Sequence, residues 1–195
     1  MSKKILILGL VGAILCACNS PKSKDVENTE PIKNDLADNT DLVAKGNHLV
    51  AIMGCNDCHS PKKMTPTGPL FDTERLLSGH PSDEVLGQYD AETLKNYVLF
   101  TMDLTAAIGP WGTTYAANLT PDETGIGSWT EEQFSKAVKE GKWRGLDGTR
   151  QLLPPMPWQT FANLSDDDIK AIYAYLRSLK PVKNVVPLAK IAMAP

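Results

Sequence analysis

The apolar and polar positions of this chain fall into helical stripes separated by irregular, proline- and glycine-rich segments. Leu42, Val43, Gly46, Leu49, Val50 and Met53 recur at helical spacing, and Thr40 or Asp41 is a good N-cap. They predict a first helix with Gly46 on its apolar face, open to close approach by another helix, and His48 on the solvated side. Ile169, Ile172, Tyr173, Leu176 and Leu179 form a second stripe. It is opened by Ser165 and three aspartates and closed by Lys180-Pro181. These two helices are natural partners. Thr130-Glu131-Glu132-Gln133 is a capping box. It starts a helix with Phe134, Ala137 and Val138 inward, ending at Gly141. A further helix is expected from about Asp90 to Phe100, with Leu94, Tyr97 and Val98 inward. The expected fold class is all-α, with long irregular loops.

The loops carry strong turn signals. Pro61, Pro66, Gly68 and Pro69 fall close together, and Ser78-Gly79-His80-Pro81 marks another turn, its histidine read as a loop-surface residue. Residues 103–129 are rich in Gly, Thr and aromatics and read as an ordered irregular loop wrapped around something. Residues 183–195 read as an irregular tail.

The N-terminus has a different pattern. Lys3 and Lys4 precede an apolar run from Ile5 to Ala17, 13 residues, short for a membrane span of about 20. It has the layout of a secretory signal. Its end, Leu15-Cys16-Ala17-Cys18, looks like a bacterial lipoprotein signal. Cys18 fits the lipidated position and Cys16 does not, because Leu15 directly precedes it. The alternatives are an ordinary cleaved signal with incidental cysteines and an uncleaved anchor. Residues 19–39 are polar, with too little apolar surface to offset ordering entropy, and read as a tether reaching roughly 25 Å. The expected organisation is a signal over 1–17, a tether over 18–39, one domain over 40–182 and the tail. The mature chain is expected on the periplasmic side of a bacterial membrane, lipid-anchored.

Composition narrows the role. The 195-residue chain carries a formal net charge of −3. Removing residues 1–17 leaves 18 basic residues against 23 acidic ones, a net −5. A nucleic-acid partner is not expected, since such proteins are usually basic.

The chemistry concentrates in Cys55-Asn56-Asp57-Cys58-His59. C-x-x-C-H is the signature of covalent haem attachment: each thiol adds across a porphyrin vinyl group, and the adjacent imidazole reaches the iron. The motif occurs once, so one haem c is expected, with His59 as an axial ligand. A structural zinc site would need four ligands, usually in two pairs, and a redox dithiol would want a βαβ context. A plain disulfide would leave His59 unexplained. The second ring nitrogen of the axial histidine needs an acceptor, which the Pro61 or Pro69 region could supply. Met156, framed by Pro154, Pro155 and Pro157, is a rigidly held soft ligand for the other axial position, with Met102 the runner-up.

An N-terminal helix, C-x-x-C-H, long loops, a proline-framed methionine and a C-terminal helix occur here in an order that resembles the class I mono-haem c-type cytochromes, over about residues 40–182. Asn118-Leu119-Thr120-Pro121-Asp122, Gly125-Ile126-Gly127, Met156-Pro157-Trp158 and Ala171-Ile172-Tyr173-Ala174-Tyr175-Leu176 are similar to cytochrome subunits of bacterial periplasmic dehydrogenases. The resemblance implies covalent haem on Cys55 and Cys58, His59 proximal and Met156 distal, with Trp111, Asn118 and Trp158 expected in the haem pocket. Those cytochromes often carry several haems, and this chain has one motif. Saturated His/Met ligation implies a one-electron carrier rather than an enzyme. The expected partners are redox proteins: a dehydrogenase, an oxidase or another cytochrome. Two alternatives stand beside the free carrier: an electron-accepting subunit of a dehydrogenase complex, and a haem enzyme or gas-binding protein if Met156 is not a ligand.

Overall fold

The structure is a computed structural model, and it describes residues 35–192. Cys18, the expected signal and nearly all of the expected tether lie outside the described residues. The helices are α1 (Asp35–Ile52), α2 (Cys55–His59), α3 (Glu131–Lys139), α4 (Trp158–Phe161) and α5 (Asp166–Ser178). The strands are β1 (Lys62–Thr65), β2 (Gly68–Phe71), β3 (Leu99–Phe100), β4 (Ala106–Gly109), β5 (Gly112–Tyr115) and β6 (Lys190–Ile191).

The expected helix pair is present. Val50 on α1 and Ile169, Ile172 and Leu176 on α5 are buried in one core with Leu77, Ile126 and Phe134. The crossing depends on Gly46, where a Cβ would lie 1.9 Å from the carbonyl oxygen of Ala171. α5 is capped by Ser165, whose Oγ accepts from Asp168 N at 3.1 Å, and α3 by Thr130, whose Oγ1 accepts from Gln133 N at 3.1 Å. α1 begins at Asp35, earlier than Thr40 or Asp41. A capping residue at an exposed helical position costs little and does not stop the helix.

The fold is mixed, not all-α. β1 and β2 form an antiparallel hairpin, and β3-β4-β5-β6 form an antiparallel sheet. β4 is buried at every position, so it lacks the alternation that would announce a strand. The helix expected over Asp90–Phe100 is replaced by a 3-10 turn at Thr93–Lys95 and by β3. Leu99 pairs with Ile108, while Tyr97 and Val98, expected inward, are exposed. The expected irregular tail contains β6, with Lys190 opposite Thr113. Just before it, Asn184 is buried and donates through Nδ2 to the carbonyls of Ser78 (2.7 Å) and His80 (2.8 Å).

Candidate haem site

Cys55 and Cys58 open one turn apart on α2, which begins after Gly54 in a left-handed conformation (φ 69°). Both thiols are half-buried and unbridged. Burial is the leading cause that pushes Cys55 up to about 11 and raises Cys58 as well. Among the described residues no three His, Cys, Asp or Glu side chains converge as metal ligands, which leaves the zinc alternative without a ligand set there.

His59 ends α2. Its Nδ1 lies 2.8 Å from the carbonyl oxygen of Ala117. The acceptor is thus neither in the Pro61 nor in the Pro69 region but on the chain following β5, fifty-eight residues away. An imidazole that donates from Nδ1 keeps its Nε2 lone pair for a metal. Burial holds His59 below its ordinary value, and the Ala117 hydrogen bond opposes that less strongly; a neutral ring is the form that ligates iron.

A five-residue stretch, Leu77 to Pro81, is buried throughout and braces α2 from behind. Leu77 N donates to Ser60 Oγ (2.8 Å), and Gly79 N, in a left-handed conformation (φ 78°), to His59 O (2.8 Å). A Cβ on Gly79 would lie 2.5 Å from Ala116 O. The turn signals around His80 predict a surface residue; it is fully buried. Its flanking turn residues conceal this, and the adjacent apolar pair Leu76-Leu77 is the available signal. Lys62 ties the site to the sheet, donating to Asp57 O and Asp103 O at 2.6 Å each.

Met156 is half-buried in a segment fixed at several points. Pro154 O accepts from Thr114 Oγ1 of β5 (2.9 Å), Leu152 N donates to Gly141 O (2.6 Å), and Trp143 N donates to Arg150 O (2.9 Å). The Trp158 ring covers Gly141, where a Cβ would lie 2.3 Å from Trp158 Cδ2. Trp111 packs its ring over Gly109 and buries its Nε1 with no hydrogen-bond partner among the described residues. Such an atom suits a carboxylate of a bound group. Asn118 differs from the expected pocket role. Its Oδ1 accepts from Thr120 N (2.9 Å) and Thr120 Oγ1 (2.8 Å), and its Nδ2 donates to Val182 O (2.8 Å) and Thr124 Oγ1 (3.2 Å). Its amide is fully engaged within the protein.

Met102, the runner-up thioether, is exposed. It lines an open groove of about 420 Å³ with Met64, Val85, Tyr89 and Phe100, a place that includes none of Cys55, Cys58, His59 and Met156. The residues present therefore fit a haem: two thiols, an oriented imidazole, a held thioether and an unpartnered indole N–H.

Comparison with known proteins agrees. Part of the chain is similar to a nicotinate dehydrogenase subunit of Pseudomonas putida, 48% identical over 79 residues, 40% of this chain and 6% of that protein. It is also similar to the fructose dehydrogenase cytochrome subunit of Gluconobacter japonicus, 42% identical over 88 residues, 44% of this chain and 18% of the relative. A third relative is the gluconate 2-dehydrogenase cytochrome c subunit of Pantoea cypripedii, 44% identical over 82 residues, 42% of this chain and 17% of that one. The matched stretch is thus less than a fifth of each of these relatives. The cytochrome c family model matches residues 43–180, from the first turns of the apolar stripe on α1 to the end of α5, and the chain belongs to the cytochrome c family.

Proposed function

We propose that this protein is a one-electron carrier with a single haem c, held by Cys55 and Cys58 and ligated by His59 and Met156. Membership of the cytochrome c family brings with it a covalent haem and electron transfer. A haem supplies exchange between ferric and ferrous iron, and His/Met ligation raises its potential relative to bis-His. The observation that carries the ligand reading is the bond from His59 Nδ1 to Ala117 O, which fixes the tautomer and leaves Nε2 for iron. Met156 would supply the second ligand from its proline-framed segment, Trp111 Nε1 would have a hydrogen bond to offer a carboxylate of the bound group, and Trp158 packs against Gly141.

The chain feeds or drains a larger redox enzyme, itself non-catalytic. The names of its relatives support a dehydrogenase as that partner. The lipoprotein-type signal supports attachment outside the cytoplasm through Cys18. Among the described residues no helix is long and apolar enough to cross a membrane.

The deciding experiment is the absorption spectrum, oxidised and reduced, of protein expressed with haem-attachment machinery. Wild type is expected to show one haem per chain and low-spin spectra in both states, with no rapid carbon monoxide binding when ferrous. Met156→Ala is expected to open the site and bind carbon monoxide. Rapid binding by wild type would overturn the carrier reading. Mass spectrometry of the mature N-terminus tests the anchor, and an unacylated residue there would remove it. Co-purification with a large catalytic partner distinguishes a dedicated subunit from a free carrier.

A further inference from the structure

His80 lies beside the proximal ligand's support. The carbonyls of Ala116 and Ala117 are consecutive: the first accepts His80 N–H at 2.9 Å, the second meets His59 Nδ1 at 2.8 Å. The residue before His80, Gly79, donates to His59 O. The His80 ring lies against that of Tyr115, tilted by 45° with centroids 4.8 Å apart. Its Nδ1 is 2.8 Å from Thr105 Oγ1, and that hydroxyl lies 2.9 and 2.8 Å from the two carboxylate oxygens of Asp103. A hydroxyl has one hydrogen, and an ionised carboxylate only accepts. Thr105 therefore donates to Asp103, and His80 Nδ1 donates to Thr105. On the neutral ring Nε2 is then a bare lone pair. It is buried with no partner among the described residues, a state that calls for an explanation.

The charged and titratable groups facing the ring come from several elements. Asp103 stands behind Thr105, and Asp83 lies on the chain just beyond Pro81; both favour the imidazolium, while burial, the larger effect, holds His80 below its ordinary value. Lys62 donates to Asp103 O from the far side. Glu84 shares the acidic neighbourhood, its carboxyl raised first by burial and then by Asp103 and Asp83. Tyr115 contributes its phenol ring.

We propose that His80 is the redox-linked proton site of this protein. When the haem takes one electron from a one-electron donor, ferric iron becoming ferrous, an N–H bond forms at His80 Nε2 with one proton taken from solvent. Reoxidation breaks that bond and returns the proton. The electron removes one unit of positive charge from the group that His59 would hold, and a cation on the neighbouring support becomes easier to form. The Thr105–Asp103 relay accepts along Nδ1–H and stabilises the imidazolium. His80 acts as a positioning and charge-balancing residue.

The sign follows. A proton bound on reduction makes reduction harder as pH rises, so the midpoint potential falls with pH. One proton per electron gives up to about 59 mV per pH unit, the value for a tenfold change at one electron. The window opens below 6.5, the ordinary histidine value, because burial in the protein holds His80 lowered.

This inference rests on the haem and ligands proposed above. The test is redox titration of the full haem-loaded chain between about pH 4.5 and 8 for wild type, His80→Gln, Asp103→Asn and Thr105→Val, with spectra confirming unchanged ligation. A falling wild-type potential, a flat one in His80→Gln and a window moved to lower pH in Asp103→Asn support it. A flat wild-type potential overturns it. A slope unchanged in His80→Gln also overturns it, and assigns the proton to another group such as a propionate. If His80→Gln does not fold, Thr105→Val decides: an unmoved window sinks the idea. A wild-type chain that takes no haem fails the carrier reading itself, whereas a low-spin haem with a flat potential fails only this proposal.

Discussion

Asn118 joins three stretches of chain through one buried amide: its own turn at Thr120, Thr124, and the segment after α5 at Val182. Replacing it with Ala leaves Val182 O and Thr120 N without these partners, and a loss of about 1–3 kcal/mol per orphaned buried group is the expected scale. Thermal melts of Asn118→Ala are expected to show a clear fall in Tm with the haem spectrum unchanged, because the amide touches protein on every side. A changed spectrum with an unchanged melt would instead place Asn118 at the haem. Sequence alone puts His80 in solvent, where the structure buries it. The cause is that a polar residue in a turn-rich segment carries no local mark of what it will meet. His80 meets Thr105, and Asn118 meets Val182, far along the chain. By contrast Cys55, Cys58 and His59 stand out in the sequence because their spacing is itself the haem-attachment signature.

At the scale of elements, the helices are legible and the strands are not. Caps and stripes are local, and Thr130 and Ser165 cap α3 and α5 as their sequences announce. β4 reads as a plain apolar run, β3 and β6 are two residues each, and their pairing partners are non-local. The α1–α5 crossing yields a sharp prediction. Gly46→Ala puts a methyl 1.9 Å from Ala171 O, backbone that cannot swing aside. The expected loss is at least about 1–3 kcal/mol, read from denaturant unfolding followed by circular dichroism; an unchanged midpoint would mean that the helices can part there. Asp72, at the end of β2, gives a pH prediction. Its carboxylate accepts from Arg75 Nε (2.8 Å) and Glu74 N (3.2 Å) and pairs with Lys63 (3.0 Å). The Arg75 hydrogen bond is the leading cause that holds it below its ordinary 3.8. A lowered carboxylate adds stability that is full above the unfolded value and is lost as pH falls through the folded one. Asp72→Asn is therefore expected to be less stable than wild type at pH 7, with the difference shrinking below pH 3.8. A difference that persists unchanged to about pH 2 would sink that account.

For the whole molecule, the separations matter more than any single contact. The hydrogen bond that orients the His59 ring pairs residue 59 with residue 117, and the sheet closes when Gly112 meets Ile191. Ala192 N then donates to Trp111 O at 3.0 Å, so the segment after α5 backs the turn that carries the unpartnered indole. Deleting residues 181–195 is expected to lower Tm and loosen Trp111, seen as a rise in its fluorescence quenching by a soluble quencher; unchanged quenching would show that the strand is dispensable. The position of β6 also sets an order of events. On the proposed export route the chain emerges from its N-terminus, and C-x-x-C-H clears the membrane well before the strand that closes the sheet. The attachment thiols are thus exposed on an incomplete fold, open to the machinery that joins haem to them. The four-stranded sheet stays open over that interval, because its edge strand β6 is among the last residues to follow.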